Sequence, residues 1–265
     1  MAMLSGPLPV LQGQGSSDNS SLLPADSLPA DKLPLRIFMI GNSLTWDTLP
    51  GLLDGQVQWH IDCGKNLQAM FDNPMNPCVK TSVPWPEVLP PGRQHSQQYD
   101  ILVVQPYLGT TLDDDARLIA HWLELQPSAE LVIHTGWSRA DDFESSYHAQ
   151  VEGMPLPMAH SSAYFKALQQ RVQEQFPDRR LSTTAAMDVL DTIWHDIQQG
   201  QTPLIAFRDL YRDEHHMTTQ LGRYLMHNVM RMALHQPPSD QGFQLEPEHK
   251  LYLDQKLQHV ARFDL

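Results

Sequence analysis

The chain has 265 residues, a length that suits one large domain or two small ones. Hydrophobic residues make up 41% and aromatics 8%, which supplies a core and excludes wholesale disorder. Lys plus Arg number 18 against 31 Asp plus Glu, and the formal charge of −13 disfavours nucleic acid or an anionic membrane surface as a partner.

Residues 1–34 are rich in Ser, Pro, Gly, Leu and Gln, and residues 1–30 carry no Lys or Arg. A secretion signal needs a basic start and an unbroken apolar stretch, and Pro7 and Pro9 break the one candidate here. The segment therefore reads as a flexible tail or linker, with export of a longer precursor left open. From there the chain alternates strand and helix. Leu35-Arg36-Ile37-Phe38-Met39-Ile40 is an apolar run ending at Gly41, the pattern of a buried parallel strand. Residues 56–63 alternate polar and apolar up to Gly64 and read as a second strand. A Pro- and Asn-rich connection over 72–95 follows, and Tyr99-Asp100-Ile101-Leu102-Val103-Val104 is the third strand. Helical spacing is expected over 113–125, a fourth strand over 131–134, and an irregular insertion over 138–160. Helices are expected over 162–176, 187–199 and 217–234, with a fifth strand over 181–187. Residues 236–265 are a polar extension with a helical stretch at 252–260. The order implies βαβ units and a mostly parallel sheet, divided as a tail over 1–34, a domain over 35–235 and an extension over 236–265 that packs on it.

Ligands of open parallel sheets bind beyond the carboxyl ends of the strands. Gly41-Asn42-Ser43, Gly64-Lys65-Asn66, Gln105-Pro106-Tyr107 and Thr135-Gly136-Trp137 occupy those positions, and Asp213-Glu214-His215-His216 precedes the last amphipathic helix. This set suits nucleophilic acyl transfer. A serine hydroxyl needs a base, the base needs an orienting carboxylate, and the tetrahedral intermediate needs fixed donors. Ser43 is the candidate nucleophile, His216 the base and Asp213 its partner, three residues away and so within one turn. Ser43 N–H, Gly64 N–H and the Gln105 amide are the candidate oxyanion donors.

Ile40-Gly41-Asn42-Ser43-Leu44-Thr45 resembles the first motif of the SGNH/GDSL-type serine hydrolases, with the Ser as nucleophile. Gly64 falls where their second-block Gly stands. Asp213-x-x-His216, followed by Gly222-Arg223-Tyr224-Leu225, is similar to their last block. The resemblance runs from about residue 35 to 234. It implies a flavodoxin-like three-layer α/β/α sandwich and hydrolysis of an ester, often acetyl or another acyl group on a carbohydrate or lipid, with no cofactor. One block departs: where the family has Gly-x-Asn-Asp, this chain has Val104-Gln105-Pro106-Tyr107, whose Gln offers the same amide on a longer stem.

Other readings compete at single residues. Ser43 could be a helix-capping serine, Asp213 an N-cap of the last helix, Gly64 a plain strand-ending glycine and Gln105 a polar strand terminator. His215 is a rival base, but its spacing of two from Asp213 leaves the motif. The adjacent His215-His216 diverge, no H-E-x-x-H-like spacing is apparent, and no metal is expected. Lys65 and Asn66 suit helix capping, Trp137 and Tyr107 suit packing over a substrate wall, and Asp113-Asp114-Asp115 suits a helix N-terminus. Cys63 and Cys78 are either paired or free thiols. The expectation is a serine esterase acting on a small-molecule or carbohydrate ester, with oligomeric state and compartment open. The rival from another class is a catalytically idle glycan-binding module of the same fold, suggested by the altered third block.

Overall fold

The computed structural model describes residues 34–89 and 98–260. The expected tail over 1–34 falls outside the described residues except at Pro34, as do parts of the 72–95 connection and of the 236–265 extension. Five parallel strands form one sheet: β1 (Arg36–Gly41), β2 (Gln56–Ile61), β3 (Ile101–Val104), β4 (Glu130–Ile133) and β5 (Leu181–Thr183). Their order is β2-β1-β3-β4-β5, the flavodoxin-like arrangement with its switch point at β1 and β3. The helices are α1 (Ser43–Asp47), α2 (Leu67–Asp72), α3 (Trp85–Val88), α4 (Leu112–Leu125), α5 (Phe143–Tyr147), α6 (Ser162–Gln175), α7 (Ala186–Gln198), α8 (Leu221–Ala233) and α9 (Pro247–Val260).

The period of two along each strand assigns the two faces. Phe38, Ile40, Leu102, Val104, Leu131 and Ile133 point to one side, where Leu67 of α2, Trp122 of α4 and Leu168 of α6 cover them. Ile37, Met39, Ile101, Val103 and Val132 point to the other, against Met230 of α8 and Leu234 just after it. A third apolar group joins α7, α8 and α9 through Leu190, Val229 and Leu253. The result is the three-layer α/β/α sandwich. Strands as apolar as ILVV in β3 require this cover on both faces.

Several boundaries differ from the sequence pattern, each for a local reason. α8 starts at Leu221 and not at residue 217, because Met217 pairs with Tyr211 in an antiparallel bridge. The 138–160 insertion contains α5, preceded by a 3-10 turn at Ala140–Asp142; Phe143 anchors it by packing on Phe207 with ring centroids 4.9 Å apart. The C-terminal helix starts at Pro247, five residues before the expected 252, and buries Tyr252, Leu253, Leu257 and Val260. The acidic run begins α4 as expected, with Thr111 and Asp114 forming a reciprocal capping box. Cys63 and Cys78 form a disulfide with Cα atoms 5.6 Å apart. Among the described residues, no helix is long and apolar enough to cross a membrane.

Candidate active site

β1 leads straight into α1 through Gly41-Asn42. A Cβ on Gly41 would run into the Thr45 side chain and lie 3.0 Å from Gln105 Cβ, so only glycine lets α1 fold back this tightly onto the strand end. Asn42 caps the helix: its side-chain oxygen accepts from Leu44 N–H at 2.9 Å. Ser43 is therefore the first helical residue and not the cap, which leaves its hydroxyl free to point elsewhere.

It points to His216. The Ser43 Oγ to His216 Nε2 distance is 3.0 Å, across 173 residues of sequence. On the other side of the ring, His216 Nδ1 lies 3.0 and 2.9 Å from the two carboxylate oxygens of Asp213. Asp213 also accepts from the backbone N–H groups of His215 (2.9 Å) and His216 (2.8 Å). The carboxylate thus caps its own turn, the Asx geometry, and does not cap α8, whose N-cap position is Gln220. Burial works to raise the Asp213 carboxyl, but the His216 and His215 backbone donors and the His216 ring outweigh it and hold it well below the ordinary carboxylate range. The side chain stays half-exposed, at 50%. Its fixed charge at neutral pH comes from donors, not from enclosure. The His215 backbone carbonyl accepts from Trp137 Nε1 at 2.7 Å, and Trp137 itself is buried packing.

A second charged group underlies the first. Asp47, at the end of α1, is fully buried. It accepts from Arg212 Nη1 (3.1 Å), Arg223 Nε (2.9 Å) and Met217 N–H (2.8 Å), and Arg223 Nη2 lies 2.7 Å away. Arg212 also donates to Met217 C=O at 2.7 Å, and its own N–H donates to His216 C=O at 2.9 Å. One carboxylate on the serine's helix thus grips both ends of the 212–217 turn that carries His216. Sequence reasoning missed Asp47 and Arg212 and gave Arg223 no role. No local sequence signal marks Asp47, whose partners Arg212 and Arg223 lie 165 and 176 residues away.

The strand ends on the other side are tied together by amides. Gln105 is fully buried, and its carbonyl oxygen accepts from Asn42 N–H (3.1 Å), Thr45 N–H (3.2 Å) and Thr45 Oγ1–H (2.8 Å). Its amide nitrogen donates to Pro106 C=O at 3.3 Å. Asn42 Nδ2 donates to Lys65 C=O at 3.2 Å, which holds the Gly64 turn beside Ser43. Asn66 caps α2 by accepting from Ala69 N–H at 2.9 Å and donates to Leu108 C=O at 3.3 Å. Gly64 is exposed with φ +68°, and a Cβ there would meet nothing within 4 Å, so the left-handed turn and not crowding calls for glycine. Ser43, Gly64, Gln105, Asp213 and His216 are all found around the carboxyl ends of β1, β2 and β3.

No family model and no curated protein matches the sequence. Among solved structures, a DUF4886 family protein from Bacteroides uniformis is similar over 86% of this chain and 95% of its own, at 15% identity and a TM-score of 0.51. The two chains share a fold. A protein from Parabacteroides merdae described as a GDSL-like lipase aligns over 76% of this chain and 96% of its own at 14% identity, with a TM-score of 0.46. A family two carbohydrate esterase from Cellvibrio japonicus aligns over 59% of this chain and 53% of its own at 16% identity, with a TM-score of 0.31. At such identities a likeness speaks to the fold alone, and only the first score is high enough to do so.

Proposed function

We propose that the protein is a serine ester hydrolase of the SGNH/GDSL type, with Ser43 as nucleophile, His216 as general base and then general acid, and Asp213 as the orienting carboxylate. The observation that carries this reading is the continuous hydrogen-bonded line Ser43 Oγ–His216 Nε2 and His216 Nδ1–Asp213. Attack of Oγ on the acyl carbon passes the serine proton to Nε2. Asp213 keeps the second ring proton on Nδ1 and stabilises the cation that forms. His216 then protonates the leaving alcohol, and a water enters by the same route in reverse to free the acid.

The oxyanion is held by Ser43 N–H and Gly64 N–H. Gln105 fixes the backbone over 42–45 through its oxygen, and with one amide hydrogen on Pro106 the other is left as a third donor. No step in this scheme calls for a cofactor. The substrate class is a short-chain acyl ester, with acetyl on a carbohydrate the leading candidate. That choice rests on the family resemblance in the sequence.

The second reading, an idle glycan-binding module, draws on the burial of Gln105, whose amide is largely committed to the protein itself. One pair of measurements separates them. Turnover of p-nitrophenyl acetate and covalent labelling by a fluorophosphonate are compared for the wild type and Ser43→Ala. Labelling and turnover confined to the wild type are expected. Equal turnover in both proteins, or an unreactive wild type that retains an acetylated oligosaccharide on a column, overturns the esterase.

A further inference from the structure

Away from the serine, two histidines and an aspartate converge where α5 meets α7. Asp191 and His195 are one turn apart on α7, and His148 follows α5 directly. Asp191 Oδ1 lies 3.4 Å from His148 Nε2 and 3.6 Å from His195 Nε2. Neither contact has hydrogen-bond geometry, and this oxygen is buried with no hydrogen-bond partner. A buried carboxylate oxygen without a donor is costly, so this one calls for a positive group between it and the two imidazoles. The three donor atoms all lie within 4.8 Å of one another.

The spacing matches a particular occupant. Tetrahedral zinc with bonds of about 2.0–2.1 Å has ligand-to-ligand edges of roughly 3.3–3.4 Å. Two edges here are 3.4 and 3.6 Å. The third is free to close, because both imidazoles are half-exposed, at 51%, and can turn about their side-chain bonds. Tyr147 lies edge-on to His148 and Trp194 edge-on to His195, which limits that turning.

We infer that His148, Asp191 and His195 form a binding site for a divalent transition-metal ion, zinc first, with the fourth position open to solvent. Imidazole with one carboxylate suits zinc and its neighbours over calcium or magnesium. The expectation that no ligand spacing occurs overlooked the Asp191-x-x-x-His195 pair, because the third ligand lies 43 residues before Asp191 in the chain.

The site is structural in its consequence. It would pin α5 to α7, and the segment just before α5 supports the triad turn through Arg139–Glu214 at 3.0 Å and Ala140 N–H to Glu214 C=O at 3.2 Å. A bound ion would therefore stiffen a support of His216 without touching the reacting atoms.

The test uses the untagged full chain stripped with a chelator and titrated with zinc against a chromophoric competitor. The expected result is one ion per chain with a dissociation constant in the micromolar range or below. His148→Gln, Asp191→Asn and His195→Gln should each weaken it by about tenfold or more, in line with loss of one ligand or its support. Saturating zinc should raise the melting temperature of the wild type and not of the His148→Gln/His195→Gln double variant. His216→Ala is the control for zinc held by the triad and should bind as the wild type does. Undiminished binding in the double variant, loss of binding in His216→Ala, or no stoichiometric binding at all overturns the proposal. If Asp191→Asn does not fold, the two exposed histidines alone decide the matter.

Discussion

His216 and Asp213 come from one four-residue turn, while the groups proposed to hold the oxyanion come from three separate strand ends. The first set is fixed by backbone donors to a carboxylate and by two arginines gripping Asp47. The second is fixed by neutral amides: Gln105 under 42–45, Asn42 to Lys65, Asn66 to Leu108. Charge holds one half and amide hydrogen bonds hold the other. A short turn can be oriented by a few strong charge-assisted bonds, whereas three strand ends already aligned by the sheet need only local trimming.

The largest effect should come from cutting the line that joins the halves. Ser43→Ala should lower kcat for a p-nitrophenyl ester by about 10⁴-fold or more, and His216→Ala should add little to it, because the pair acts as a unit. Steady-state kinetics of both singles and the double check this; additive losses would separate the two residues.

Next comes the charged half. Asp47→Asn leaves Arg212 and Arg223 without their buried counter-charge and should destabilise the fold by about 3–5 kcal/mol in chemical denaturation. Activity should fall further than the folded fraction does, since the turn loses its anchor.

The amide half should give way more gently. Replacing Gln105 by Leu should cost about 10²-fold in kcat, the usual scale for one oxyanion donor, with a lowered melting temperature from the lost brace. A melting change without a kcat change would make Gln105 a brace and nothing more. Breaking the Cys63–Cys78 bridge with a double Ser variant frees a loop of 15-residue separation beside Gly64, worth about 3 kcal/mol of stability. Thermal melts with and without reductant read it out, and kcat should follow the Gly64 turn.

The smallest effect on activity lies behind that half, at Asp115 on α4. Burial pushes its carboxyl up to about 7, and the Tyr164 hydroxyl donates to it at 2.6 Å. A raised carboxylate favours the folded state when protonated. Its contribution is fully present below the ordinary value of 3.8 and is lost as pH rises through about 7. Asp115→Asn should therefore gain a few degrees in melting temperature on the wild type between pH 4 and pH 8, and a difference that stays flat with pH would sink the assignment.

The legible parts of the molecule are those with short-range grammar. The apolar run closed by Gly41, the Asn-Ser that follows and the i,i+3 pair Asp213 and His216 each carry their meaning within a few residues. The parallel sheet follows from alternation of strand and helix, whereas its flavodoxin-like order was implied by the family resemblance. Asp47 was not legible, because its partners lie 165 and 176 residues away and a buried acid looks like any other acid in a helix. Gln105 was read for its nitrogen, while the structure engages mainly its oxygen; a side chain with both a donor and an acceptor does not announce which one is used. The start of the C-terminal helix lay outside the pattern because its first turns are polar and exposed, and only residues from Tyr252 onward meet the core.

Asp47 has one more consequence, for how the molecule opens. Because one carboxylate secures both the helix that begins at Ser43 and the turn that carries His216, neither can leave alone without stranding a buried charge. The two should breathe as a single sub-global unit, with the Met217 amide proton, bonded to Asp47, exchanging with deuterium only when that unit opens. Catalytic competence would then vanish in one step on warming, ahead of the sheet beneath it.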